Sequence, residues 1–142
     1  MTDFDKIVME FQAKLKKAIS HFEYSLNKVE SLPTAINLLD EESLETWESF
    51  SARFSRVVDI FLTKYLRAKV LKDDPGFTGT LRDFVNQGEK LELVDNARTW
   101  MEIRELRNIV AHEYTEEETE RFLKNLLENS KYLLTLKEKI ET

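Results

Sequence analysis

Apolar residues recur every three or four positions along the first half of the chain. The first stripe consists of Phe4, Val8, Phe11, Leu15, Ala18, Phe22, Leu26 and Val29. The second stripe runs to about Leu71 and consists of Leu44, Trp47, Phe50, Phe54, Val57, Phe61, Tyr65 and Leu66. This spacing predicts two long amphipathic helices. The first should end before Pro33, and Asp40 should cap the second.

Turn and capping residues then predict a loop followed by a short helix. The segment 72–80 (KDDPGFTGT) contains two of the three glycines and one of the two prolines, which is typical of a loop. Thr80 with Asp83 has the spacing of a capping box. It would open a short helix that ends near Gly88.

Two longer helices are predicted in the rest of the chain. Asp95 is expected to cap a helix over residues 96–113. Thr115 with Glu118 is a second candidate capping box. The helix that follows carries the apolar residues Phe122, Leu126, Leu133, Leu136 and Ile140. Long amphipathic helices with few breakers favour an all-α fold. The expected architecture is an antiparallel four-helix bundle with an additional short helix. Residues 1–142 are expected to form one domain.

Composition narrows the classes of function that the chain can have. It contains no cysteine, which excludes thiolate metal sites and cysteine nucleophiles, and only two histidines, so no metal site or other cofactor is predicted. A glycine-rich phosphate loop is absent from the sequence. The net charge of −6 opposes a general nucleic-acid coat, although a local basic face could still bind RNA. No signal peptide core and no membrane-spanning apolar run is present, so we expect a soluble, cytoplasmic protein.

The stretch RNIVAHEY, residues 107–114, places one of the two histidines close to an arginine and a tyrosine. At 100° per residue, the core face of its helix is predicted to carry Ile103, Leu106, Ile109 and Val110. Arg104, Asn108 and His112 fall on the opposite side, and Arg107 flanks them. A buried core histidine is therefore disfavoured. Two interpretations remain, an exposed histidine without a role and a catalytic or ligand-binding cluster.

The spacing Arg107, four residues, His112, one residue, Tyr114 resembles the signature of HEPN domains, specifically the HepT-like toxin branch. Asn108 matches the polar residue that often follows the arginine in that family. The surrounding EIRELRNIVAHEY and the stretch SARFSRVVDIFLTKYLRA on the second predicted helix are similar to that branch. The helical layout extends the resemblance across nearly the whole chain.

This resemblance implies a specific activity and specific partners. HEPN toxins of this type are metal-independent endoribonucleases, and they act as homodimers in which motif residues from both chains meet in one cleft. Their usual partner is a minimal nucleotidyltransferase antitoxin. In the HepT-like branch this antitoxin adds AMP to the motif tyrosine and blocks the nuclease. The matching position in this chain is Tyr114.

The residue types fit metal-free RNA cleavage, which needs a base, an acid and a cation near phosphorus. His112 can serve as acid or base, and Arg107 can donate two aligned hydrogen bonds to phosphate oxygens. One chain offers only one motif histidine, so an acid and a base of this type require a two-fold dimer. Glu105 either orients His112 or Arg104 or forms an ordinary surface pair. His21, the other histidine, is expected to be a local surface or interface residue.

Six basic residues and a single acid, Asp59, lie between Arg53 and Lys72. On an α-helical wheel, four of the basic residues fall within about 80° of each other: Arg53, Arg56, Lys64 and Arg67. This basic stripe is a candidate path for an RNA backbone. It is equally consistent with a solvated face whose aliphatic stems cover the helices beneath.

Two other functions compete with the nuclease. In the first, the chain is a non-catalytic HEPN partner of a nucleotidyltransferase and binds a nucleotide or substrate phosphate through Arg104 and Arg107. In the second, the chain is a purely structural helical dimer, so that removing the polar groups of Arg107 and His112 would change only stability.

Overall fold

The computed structural model describes residues 2–109 and 115–140, without the side chain of Ile109. Its α-helices are α1 (Asp3–Val29), α2 (Glu41–Ile60), α3 (Leu66–Asp73), α4 (Leu81–Lys90), α5 (Ala97–Ile109) and α6 (Glu116–Ile140). A π-helical turn, Phe61–Tyr65, joins α2 and α3 into one continuous helix, and a short 3-10 turn, Ile36–Leu38, precedes α2. The described residues contain no strand, and the predicted all-α class is confirmed for them.

Several predicted helix starts are confirmed by their capping hydrogen bonds. The Asp40 carboxylate accepts from the backbone N–H of Ser43 at 2.8 Å. Thr80 and Asp83 form the reciprocal capping box at the start of α4. The Thr115 hydroxyl accepts from the backbone N–H of the residue three positions later, at 3.2 Å, and so caps α6. These caps satisfy backbone donors that have no partner within the first turn.

The predicted cap of α5 is wrong by one residue. The Asn96 side chain, not that of Asp95, accepts the backbone N–H of Thr99 at 3.1 Å. The helix begins at Ala97, which leaves Asn96 in the capping position. Asp95 instead accepts a hydrogen bond from Lys139 of α6 at 2.6 Å. Both residues are good caps by type, so local sequence does not distinguish them.

Helix α4 ends two residues beyond the predicted end at Gly88. The backbone N–H of Leu93 donates to the Gly88 carbonyl at 2.8 Å, and that of Glu92 donates to the Glu89 carbonyl at 3.0 Å. Glu92 has a φ of 61°, in the left-handed region. These two bonds form a Schellman motif, which closes a helix after its last turn. The motif therefore uses a glutamate at the position where glycine is usual.

All six α-helices and the π turn contribute side chains to one core, and aromatic side chains fill much of it. Phe22 of α1 stacks on Phe50 of α2, with ring centroids 5.5 Å apart, and meets Phe54 edge-on at 6.0 Å. Trp100 of α5 packs against Phe61 of the π turn at 4.7 Å. Burial of such large apolar surfaces drives the packing of these helices. The contact between Trp100 and Phe61 places α5 beside the π turn.

The described helices do not have the length and apolarity of a membrane span. A spanning helix needs about 20 predominantly apolar residues. Each helix of the described residues is too short or too polar to cross a membrane. Even the longest, α1 at 27 residues, carries acidic and basic side chains along its length.

Candidate functional site

Helix α5 carries the first part of the motif, and its buried face determines which side chains point outward. Trp100 is 4% exposed and Ile103 is fully buried. Their spacing leaves other positions at or near the surface: Arg104 and Arg107 are partly exposed, and Glu105 and Asn108 are exposed. The polar motif residues of this helix therefore stand outside the core, on the element that packs beside the π turn.

Arg107 forms a two-pronged ion pair with Asp59 of α2. Its Nε–H donates to Oδ1 at 2.8 Å, and its Nη2–H donates to Oδ2 at 3.0 Å. This fork-to-fork geometry is the strongest and most directional form of an arginine–carboxylate pair. The hydrogen bonds that Arg107 donates to Asp59, and then the negative charge of that carboxylate, raise the pKa of Arg107. Arg107 is therefore a permanent cation with a defined orientation.

The pair lies at the surface rather than in the core. The Arg107 side chain is 39% exposed, and the Asp59 side chain is 44% exposed. A guanidinium has five N–H donors, and Asp59 takes two of them. Within the described residues, no partner is found for the other three. The Nη1–Nη2 edge can consequently donate two parallel hydrogen bonds to an anion while Asp59 stays bound.

Asp59 lies in the last turn of α2, directly before the π turn. Leu66 N–H donates to the Phe61 carbonyl, the spacing of a π turn, and the Thr63 hydroxyl donates to the Asp59 carbonyl at 2.6 Å. Val57 and Val58, next to Asp59, are buried in the core. A π turn inside an α-helix is rare and often accompanies a functional site.

Sequence reasoning did not assign Asp59 a role. It is the only acid in the basic segment that begins at Arg53 and ends at Lys72, and that isolation was the available signal. Asp59 and Arg107 are 48 positions apart, so no periodicity within one helix connects them. Their pairing depends on how α5 packs against α2.

His112 and Tyr114 lie outside the described residues, so their catalytic and modification roles stay predictions. His21 lies on the exposed side of α1. The described residues contain no group of three or more histidine, aspartate or glutamate side chains placed to hold a metal ion.

Arg53, the first member of the basic stripe, reaches across to α1. Its Nη1 donates to the His21 carbonyl at 3.0 Å and to the Ser25 hydroxyl at 2.9 Å. Its guanidinium carbon lies 5.9 Å from the centre of the Tyr24 ring. Ser25 is 3% exposed, so this contact satisfies a buried hydroxyl. Arg56, in contrast, is exposed.

The other two stripe residues pack over aromatic rings of different helices. Lys64 lies 5.5 Å from the centre of the Phe11 ring of α1, and Arg67 lies 4.9 Å from that of Phe84 of α4. The predicted arc of about 80° assumed 100° per residue throughout. The π turn has more residues per turn, so it changes the rotation beyond Ile60. RNA binding by the four residues stays a prediction.

Comparisons of the chain with known protein families, with curated proteins and with solved structures gave no match. The resemblance to HEPN domains consequently rests on residues 102–114, on the stretch 51–68 and on the helical layout. The structural observations that bear on function are those of the site itself, above all the paired and outward-facing Arg107.

Proposed function

We propose that this protein is a metal-independent endoribonuclease, the toxin of a HEPN and minimal nucleotidyltransferase toxin–antitoxin pair. The observation that carries the proposal is the Arg107 guanidinium, which Asp59 holds at the surface. Its Nη1–Nη2 edge meets no partner among the described residues and can donate to a phosphate. Along the sequence, α5 leads from Arg107 towards His112, the side chain suited to proton transfer.

The proposed reaction is an attack of a ribose 2′-hydroxyl on the adjacent phosphorus. A base removes the hydroxyl proton, a new O–P bond forms, and the bond from phosphorus to the 5′ oxygen breaks. An acid gives that leaving oxygen its proton, and the products are a 2′,3′-cyclic phosphate and a 5′-hydroxyl. Arg107 neutralises the charge that develops on the phosphate oxygens. His112 from each of two protomers would supply the base and the acid.

The proposal includes an assembly and a set of partners. The helices form an antiparallel four-helix bundle with an additional short helix, and two copies meet so that the motif residues of both chains share one cleft. The substrate is RNA in the cytoplasm, and the partner is a minimal nucleotidyltransferase antitoxin. An AMP added to Tyr114 would bring bulk and negative charge near Arg107, so that it would compete with the RNA phosphate.

Cleavage of a labelled RNA oligonucleotide in EDTA tests the proposal. We expect the unmodified dimer to cleave, and we expect His112→Ala and Arg107→Ala to abolish cleavage. His21→Ala is the matched control, because it removes the only other histidine, an exposed side chain of α1, and should leave cleavage unchanged. A substrate with a 2′-deoxyribose at the cleaved position should resist. Lack of cleavage by a homogeneous, unmodified dimer would contradict the nuclease assignment.

A non-catalytic binding partner of a nucleotidyltransferase is the second candidate, because α5 presents Arg104 and Arg107 of the predicted phosphate site towards the surface, together with Arg98. Titration calorimetry with nucleotides discriminates between the two functions. Nucleotide binding that survives His112→Ala, from a protein that cleaves no RNA, would favour the binding module. Intact mass after incubation with the partner enzyme and ATP tests the modification, since one AMP increment should disappear in Tyr114→Phe.

A further inference from the structure

We infer that Asp59 is a positioning residue for Arg107, which it orients so that the Nη1–Nη2 edge of the guanidinium meets a phosphodiester. The inference rests on the proposed function, because it assigns Arg107 a phosphate as ligand. It adds a residue from α2 to a site whose motif lies wholly on and after α5.

The geometry of the Arg107–Asp59 pair supports a positioning role. Two hydrogen bonds at 2.8 and 3.0 Å, from Nε and Nη2, define the plane of the guanidinium as well as the position of its charge. A single contact would leave that plane free to rotate. The other salt bridges between distant segments of the described residues are Lys72 with Asp5, Lys137 with Glu23 and Lys139 with Asp95. Each has a lysine as donor, and an ammonium has no plane to define.

Packed elements hold both partners of the Arg107–Asp59 ion pair. Asp59 follows two buried valines, and its carbonyl accepts the Thr63 hydroxyl within the π turn. On the other side, Trp100 packs against Phe61, which ties α5 to the same turn. The carboxylate and the guanidinium therefore meet through their backbone positions, and the side chains need little further ordering to pair.

The negative charge of Asp59 distinguishes a positioning role from a purely electrostatic one. Asp59 places a negative charge beside a cation that is proposed to bind an anion, and its removal would raise the net charge by one. If Asp59 acted only through its charge, Asp59→Asn would strengthen RNA binding. A positioning role predicts the opposite sign, since the amide would present N–H groups to one of the two arginine donors and disrupt the fork.

Two measurements on the full-length dimer test the inference. The first is the affinity for an all-deoxy oligonucleotide, which has the phosphates but no 2′-hydroxyl to attack, and the second is the rate of RNA cleavage. For Asp59→Asn we expect weaker oligonucleotide binding and a cleavage rate lower by about tenfold or more. The control is Asp95→Asn, which makes the same chemical and charge change at a residue paired with Lys139 and should change neither quantity in that direction.

A double-mutant cycle tests whether the effect of Asp59→Asn passes through Arg107. In the Arg107→Ala background, Asp59→Asn should have no further effect on oligonucleotide binding, because its effect passes through Arg107. The Nε–H resonance of Arg107 should exchange slowly with solvent in the parent protein and rapidly in Asp59→Asn.

The possible outcomes distinguish the inference from the proposed function. If the parent protein binds the deoxy oligonucleotide through Arg107 but cleaves no RNA, the nuclease proposal fails and the binding data still decide the role of Asp59. If Asp59→Asn behaves like Asp95→Asn, or reduces binding equally in the Arg107→Ala background, the positioning role is overturned. Absence of any Arg107-dependent binding by the parent protein overturns it as well.

Discussion

Replacement of Gly88 by alanine tests how closely α4 packs against α3. A Cβ atom at position 88 would lie 2.8 Å from Leu66 Cδ1 and 3.3 Å from Leu66 Cγ. Leu66 is fully buried, so its side chain has little room to move away. Overpacking of this kind costs about 1–3 kcal/mol. Since alanine favours a helix over glycine by about 1 kcal/mol, we expect Gly88→Ala to destabilise the protein by about 0–2 kcal/mol net.

Truncation of the neighbouring side chain should reverse the sign of that effect. Leu66→Ala alone should cost about 2–5 kcal/mol, because it leaves a cavity in the core. In that background the new methyl group at position 88 meets no obstacle, and the helix preference of alanine remains. Gly88→Ala should then stabilise the protein by about 1 kcal/mol. The two substitutions are therefore expected to be strongly non-additive.

Urea denaturation followed by far-UV circular dichroism gives the four free energies of unfolding that this cycle needs. Asn86→Ala is the control on the same helix, because Asn86 is exposed and its substitution reports helix preference without overpacking. If Gly88→Ala stabilises the parent protein as Asn86→Ala does, the close contact with Leu66 does not restrict the site and the reasoning is refuted.

Two further substitutions test other details of the structure. Glu92→Gly should stabilise the protein by about 0.5–1 kcal/mol, because glycine adopts the left-handed φ of 61° without steric cost. A loss of stability in urea denaturation would contradict the Schellman motif at the end of α4. Arg53→Ala should destabilise the protein by about 1–3 kcal/mol, because it leaves the buried Ser25 hydroxyl without its donor. Arg56 is exposed, so Arg56→Ala should leave the melting temperature nearly unchanged. Equal effects of the two substitutions would refute a structural role for Arg53.

Local pattern was sufficient to predict most helix positions. The first stripe predicted a helix that ends before Pro33, and α1 ends at Val29. The capping box at Thr80 was predicted because its two hydrogen bonds join residues only three positions apart. Such features depend on neighbours in the sequence, because the hydrogen bonds that stabilise them form within one helical turn. Where two neighbours were equally suitable, as at Asp95 and Asn96, local pattern did not decide between them.

Tertiary packing decided what the basic residues contact. Arg53 and Arg67 belong to one stripe on an α-helical wheel, yet one satisfies a hydroxyl of α1 and the other covers a ring of α4. The π turn between them was not predicted, and its residues Phe61, Leu62 and Tyr65 are all buried.

The amino-acid sequence by itself determined the helical class and most of the helix bounds, and it singled out Arg107, His112 and Tyr114 as candidate motif residues. Only the tertiary structure decided that Arg107 pairs with Asp59. The reason is physical, since helix periodicity and caps act over a few residues, whereas an ion pair between α2 and α5 requires two helices to pack in one register. That packing depends on buried contacts such as Phe61 with Trp100, which no local pattern specifies.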